Sequence, residues 1–217
     1  MRYKLVCFDL DGTLIEGMSS IWVEIENALG VAHKTKPAKD AFFNKTLSYD
    51  DWLKHDVEIW KEHGLRKKQV LDLLKPFSVM PGALETLETL KKEGYKIAVI
   101  SDSINLVLEA CLPNYADFFD DVFINKISFD ETGHISGYTP TKFGFEKKAD
   151  GIKHICTREG ISLAESVFIG DHDNDVEAAR SAGLSIAFNP KSEKLKEVAD
   201  HCIAEKDLRL ILRLISG

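Results

Sequence analysis

Apolar positions along the chain follow two rhythms, and the change between them divides it. The first feature is a short continuous run, Tyr3 and Leu5 to Phe8, as expected of a strand covered on both faces. Helical spacing then takes over from Met18 to Leu29. There Ile21, Trp22, Ile25, Ala28 and Leu29 share a helical period that Gly30 closes. Ser48-Tyr49-Asp50-Asp51 resembles a capping box, and the helix it opens carries Trp52, Leu53, Val57 and Trp60 before Gly64 ends it. A shorter helix holding Val70, Leu71, Leu73 and Leu74 runs up to Pro76. No β-rich run interrupts the region from Glu16 to about Lys75, which predicts a bundle of three or four helices.

From Pro81 strand and helix alternate. Pro81-Gly82 starts a helix through Leu84, Leu87 and Leu90 that stops at Gly94, and Lys96–Ile100 is a buried strand. A helix from Ile104 to Ala110 follows, then a strand-turn-strand over Val122–Phe129, Asp130–Gly133 and His134–Tyr138. A helix from Lys147 to Arg158, a strand at Ser166–Ile169 and a helix from Asp173 to Ala182 come next. Leu184–Phe188 is a last core strand and Leu208–Ile215 a terminal helix. Strand, crossover helix, strand, repeated, predicts an α/β fold: a Rossmann-like doubly wound parallel sheet. Residues 1–15 and 76–217 form that core, and residues 16–75 an inserted all-helical cap.

Such sheets bind ligands beyond the carboxyl ends of their strands. The first strand ends at Asp9, the second at Ser101 and Asp102, and a later one at Gly170-Asp171. Asp9 and Asp11 stand two apart, so in extended backbone they face one side while Leu10 faces the other. Like charges that close repel unless a cation lies between them or one is protonated, which suits a magnesium site or an acid/nucleophile pair. Asp-Gly is also a common turn pair. Three strand ends bringing polar or acidic groups to one sheet edge shift the balance away from the turn alone.

Bulk properties narrow the partners. The 217 residues are 44% hydrophobic and 29% charged, ordinary for a soluble globular protein. The net charge of −7, without a basic stripe, argues against nucleic acid. No apolar run approaches the ~20 residues that span a bilayer, and the N-terminus does not read as a signal peptide. Cys7, Cys111, Cys156 and Cys202 are scattered, as reduced thiols in a cytoplasmic protein would be. An anionic substrate would therefore need local positive charge or a metal.

The sequence Asp9-Leu10-Asp11-Gly12-Thr13-Leu14, then Ser101, then a helical lysine, then Gly170-Asp171-His172-Asp173-Asn174-Asp175 resembles the four ordered motifs of the haloacid dehalogenase-like phosphohydrolases. The helical insertion and the strand-turn-strand before the lysine are similar to the phosphoserine phosphatase-like branch. The resemblance implies a phosphatase of a small phosphomonoester that uses Mg²⁺. Asp9 would be the nucleophile that forms an aspartyl-phosphate, and Asp11 the acid and base. Ser101 would hydrogen-bond the phosphate, with helix N-capping as a compatible second role. Counting back from Gly170-Asp171, the resemblance implies Lys148 as the charge-neutralising lysine, with Lys147 the neighbouring alternative. Asp9, the Asp11 carbonyl and Asp171 would hold the metal, Asp175 and Asn174 its surroundings, and Gly12 and Asp102 the phosphate.

Phosphoserine phosphatases grip the amino acid with an acidic residue after the first motif and an arginine in the cap. Those positions fall near Met18 and Asp56, and neither matches; Glu16 is a nearby substitute for the acid. The fourth motif continues as Val176-Glu177-Ala178-Ala179-Arg180, similar also to phosphoglycolate phosphatases and phosphomutases. A phosphotransferase and a non-catalytic scaffold are the other readings. Trp22, Phe42, Phe43, Trp52 and Trp60 read as cap packing.

Overall fold

A computed structural model describes residues 2–216. The first strand, β1 (Leu5–Phe8), is buried along its whole length. After a short β2 (Ile15–Glu16) come four helices: α1 (Ile21–Leu29), α2 (Ala32–Phe43), α3 (Tyr49–Glu62) and α4 (Lys67–Leu74). The chain returns through β3 (Ser78–Val79), which pairs antiparallel with β2, so a small ribbon forms the neck of the helical insertion. Then follow α5 (Ala83–Lys92), β4 (Lys96–Ile104), α6 (Asn105–Cys111), α7 (Tyr115–Phe118) and the hairpin of β5 (Asp121–Phe129) and β6 (Ile135–Thr139). The last third holds α8 (Lys148–Glu159), β7 (Ser166–Gly170), α9 (Val176–Ser181), β8 (Leu184–Phe188), α10 (Glu193–Val198), β9 (His201–Ile203) and α11 (Leu212–Ile215).

Seven strands form one sheet in the order β6-β5-β4-β1-β7-β8-β9, parallel except for β6. Central β1 pairs with β4 on one side, Leu5 opposite Lys96, and with β7 on the other, Leu5 opposite Ser166. The chain runs outward from β1 first through β4 and later through β7, so the strand order reverses beside β1. A crevice opens at that reversal, beyond the carboxyl ends of the strands, and Asp9 stands in its middle.

The predicted elements differ from the observed ones mainly at their ends. The strand expected over 96–100 continues to Ile104, with its pairing to β5 shifting between Ile100 and Ile104. That irregularity is what lets Ser101, Asp102 and Ser103 leave the regular ladder. The helix expected from Asp173 begins as a tight turn over Asp173–Asp175 and becomes α-helical at Val176. Helix α2, strand β9 and the β2–β3 ribbon had no expectation in the pattern.

The insertion packs on the core through one contiguous set of buried residues that includes Ile21, Ile25, Leu53, Val57 and Trp60. Trp22 and Trp60 pack with ring centroids 4.7 Å apart and planes tilted by 36°. No helix among the described residues is long and apolar enough to cross a membrane.

Asp56 lies within α3 at 1% exposure. His55 Nδ1 is 3.1 Å from its Oδ1, and its Oδ2 has no hydrogen-bond partner. Burial pushes its carboxyl up to about 6, against His55, which pulls it down. In the unfolded chain the same group ionises in the ordinary carboxylate range. The fold therefore holds a proton that the unfolded chain releases, and stability falls as pH rises through about 6. Asp56→Asn is expected to raise the melting temperature by several degrees at pH 8, and by roughly half as much at pH 5. Equal shifts at the two pH values in a thermal melt would contradict this.

Candidate active site

Three loops meet at the carboxyl edge of the sheet, one after each of β1, β4 and β7. Asp9 follows β1 directly, and its N–H donates to the Ile169 carbonyl of β7 at 2.9 Å, so the ladder continues one residue into the site. Asp9 Oδ1 accepts from the Leu10 N–H at 2.7 Å and from Lys148 Nζ at 2.9 Å. Lys148, at the start of α8, also donates to Asp175 Oδ1 at 2.7 Å, and it is 1% exposed. Burial alone would lower the Lys148 pKa, but Asp175 and Asp9 raise it above the ordinary lysine range, so the group is an ammonium. Asp175 Oδ2 accepts the N–H groups of Asp171 and His172, at 2.9 and 3.1 Å, and so shapes the turn that presents Asp171.

One oxygen from each of Asp9, Asp171 and Asp175 lies within 4.8 Å of the others. Burial, then the charges of Asp9 and Asp175, push the Asp171 carboxyl up to about 7, while Lys191 pulls the other way. Lys191 Nζ is 2.7 Å from Asp171 Oδ2, and its N–H donates to the Asp171 carbonyl. Mutually repelling hard oxygen donors at this spacing fit a small divalent cation. Gly12 has φ +82°, and a Cβ there would come within 2.2 Å of Asp171 Oδ2 and 2.7 Å of Lys191 Nζ. Glycine is therefore required twice, for its backbone and for its missing side chain.

Asp11 caps a helix ten residues away. The first N–H of α1, from Ile21, donates to Asp11 Oδ2 at 3.1 Å, whereas the N-cap residue Ser20 makes no side-chain cap bond. Asp11 Oδ1 is buried and has no partner, and neither does the nearby Ser103 hydroxyl. Burial pushes the Asp11 carboxyl up to about 7, and the Asp9 charge raises it further.

The other predicted residues take distinct places. The Ser101 hydroxyl accepts the Ser103 N–H at 3.2 Å, which leaves its own proton to donate. Asp102 ties loops together: Oδ2 accepts from Asn174 Nδ2 at 2.8 Å, and Oδ1 accepts the Phe145 N–H. Its carbonyl accepts from Trp22 Nε1 at 2.8 Å and Asn125 Nδ2 at 2.6 Å. Burial raises the Asp102 pKa. Glu16 lies in the ribbon and pairs with Lys206 at 3.0 Å. Met18 is fully buried in the core, and Lys147 is the residue before α8.

A cavity of about 400 Å³ opens over Asp9, Asp11, Ser101, Asp102, Asp171 and Asn174. Neither Glu16, Met18 nor Asp56 lines it. Of the aromatic residues expected to pack within the cap, Trp22, Phe42, Trp52 and Trp60 are buried in the core cluster, Trp22 and Trp52 also bordering the cavity, while Phe43 is exposed beside it. Sequence patterns gave no hint of Phe145 or Asn125, and Lys191 was not among the predicted site residues.

Residues 3–183 match the family of haloacid dehalogenase-like hydrolases. The chain belongs to that family. Among this hydrolase's relatives is the phosphoserine phosphatase of Methanocaldococcus jannaschii, 31% identical over 99% of this chain and 98% of the relative. The phosphoglycolate phosphatase of Aquifex aeolicus is 29% identical over 85% of this chain and 84% of its own. A solved phospho-aspartyl intermediate analogue of phosphoserine phosphatase superposes with TM-score 0.76 at 30% identity, covering 99% of this chain and all of the other.

Lys148→Met would leave Asp9 and Asp175 buried together without their shared ammonium. A loss of about 3–5 kcal/mol in unfolding free energy is expected by urea denaturation. Unchanged stability would show that the two carboxylates do not depend on the lysine.

Proposed function

We propose that this hydrolase is a Mg²⁺-dependent phosphatase that cleaves a small phosphomonoester through an aspartyl-phosphate on Asp9. The observation that carries the reading is the meeting of Asp9, Asp11 and Asp171 in one cavity, with Lys148 paired to Asp9 beneath its surface. Asp9, Asp171 and the main-chain carbonyl of Asp11 would hold the ion, with Asp175 beside them. When bound, Mg²⁺ offsets the repulsion between a carboxylate and a phosphate dianion and polarises the phosphoryl oxygens.

The chain's own groups supply the rest. Lys148 and the Leu10 N–H fix the Asp9 carboxylate through Oδ1, so its orientation is set before substrate arrives. A carboxylate oxygen of Asp9 bonds to phosphorus as the bond from phosphorus to the leaving alcohol breaks. Asp11, its Oδ1 unpartnered, gives a proton to that alcohol oxygen and then takes one from the water that attacks the acyl-phosphate. Ser101 donates its free proton to a phosphoryl oxygen, and the Lys148 ammonium balances the negative charge spread over those oxygens. The scattered cysteines suit a cytoplasmic setting.

Asp9→Asn should keep the fold, since the amide oxygen can still accept the Leu10 N–H, and should lower turnover about 10⁴-fold or more. Phosphate release by the variant at wild-type rate would remove Asp9 as the nucleophile. In wild type, acid quenching during turnover should trap a phosphoenzyme that hydroxylamine cleaves. Phosphate release without an added acceptor separates hydrolysis from phosphotransfer. Asp171→Asn should raise the Mg²⁺ concentration for half-maximal activity roughly tenfold or more, whereas an unchanged titration would place the ion elsewhere.

A further inference from the structure

Away from Asp9, the cavity wall consists of side chains that the chemistry does not use. The cap contributes Trp22, Val23, Phe43, Trp52 and Leu53, and the core contributes Phe145. Phe43 is 54% exposed and Val23 36%, so large apolar groups stand open at the cavity instead of being buried. Exposed aromatic surface beside a reactive centre costs solvation unless something covers it. The three rings of Phe43, Trp52 and Phe145 make one patch: their centroids lie 5.7 Å (Phe43–Phe145), 6.1 Å (Phe43–Trp52) and 6.1 Å (Trp52–Phe145) apart.

Phe145 is held there against its backbone preference. Its φ is +43°, a conformation bulky residues rarely adopt. The Asp102 carboxylate accepts its N–H, and its ring stacks on Tyr49 with centroids 6.2 Å apart. A Cβ at neighbouring Gly144 would come within 2.7 Å of Tyr49 Oη, so the loop can approach α3 only with glycine there. The fold thus fixes an aromatic face three residues before Lys148. Among the described residues no arginine borders the cavity, and the charged cap residues that do are Glu26 and Lys39, the latter exposed. A substrate carboxylate taken from water needs a well-placed cationic fork, and this wall offers apolar surface in its place.

We infer that the alcohol carried by the substrate is aromatic: the enzyme takes an arylalkyl or aryl phosphomonoester whose ring packs on Phe43, Trp52 and Phe145. This inference rests on the phosphatase reading. The test compares 2-phenylethyl phosphate, ethyl phosphate and O-phospho-L-serine, all esters of alkyl alcohols, so that leaving-group reactivity does not decide the outcome. With Mg²⁺, kcat/KM for 2-phenylethyl phosphate should exceed that for ethyl phosphate by about 30-fold or more, the effect of burying one ring. Phe43→Ser, a change at a half-exposed position, should cut that ratio about tenfold. Phospho-L-serine turned over as well as the phenylethyl ester would overturn the inference, and so would a ratio unmoved by Phe43→Ser. If none of the three is hydrolysed, the phosphatase reading fails first, and this one with it.

Discussion

A buried ammonium holds the site together. Lys148 lies between Asp9 and Asp175 with almost no contact with water. Taking such a charge from solvent costs several kcal/mol unless its partners are close and well aimed. The partners come from the loop after β1 and the turn after β7, so satisfying the lysine fixes both against α8. Asp175 passes the constraint on, because its second oxygen accepts two N–H groups of the turn that carries Asp171. The carboxylates can then crowd together only because cations compensate them. Asp9, Asp11, Asp102, Asp171 and Asp175 outnumber Lys148 and Lys191; burial raises the Asp11 and Asp171 carboxyls, and the Asp9 charge adds to it. A proton on Asp11 and one divalent ion would bring the count close to neutral.

The helical insertion is fastened to the same groups. Asp11, not Ser20, caps α1, so the residue proposed to move the proton also ends the orphaned N–H row of the first cap helix. Trp22, one residue further along that helix, donates to the carbonyl of Asp102. Tyr49 at the start of α3 reaches the Asp102 carboxylate at 3.4 Å. Displacing the helices would break these bonds and return Asp11 to water, where the burial that raises its pKa is lost. The bonds that seat α1 and α3 on Asp11 and Asp102 thus also keep the Asp11 carboxyl from water.

How much of this could be read from sequence depended on whether a residue obeys a period. Strands β1, β4, β7 and β8 were legible because they are continuous buried runs stopped by glycine or a polar residue. Helix α2 was not: it buries only Thr35, Ala38 and Phe42 and carries Pro37, so no apolar stripe marks it. Strand β9 is three residues long with two exposed. In the site, Asp9, Asp11, Ser101 and Asp171 were found because strand ends point at the crevice. Lys148 needed the family resemblance, since nothing local separates it from Lys147. Lys191 and Phe145 sit on loops, where spacing carries no signal. A clue to Lys191 existed: it follows the predicted strand 184–188 by three residues, at the same edge of the sheet.

The aromatic wall and the chemistry make the same demand on the cavity. Attack by a carboxylate on a phosphate dianion is opposed by like charge, and the opposition is offset by fixed cations whose effect grows as water is excluded. An apolar patch at the mouth excludes water only once it is covered, because Phe43 and Val23 otherwise stay wet. A small polar alcohol would leave that surface exposed. A ring packed on it would close the mouth and strengthen the field of Lys148 at the reacting atoms in one step. Binding energy from a part of the substrate that does not react would then be expressed in the rate as well as the affinity. Selectivity for the alcohol and protection of the reacting centre would therefore arise from one surface, contributed by cap and core together.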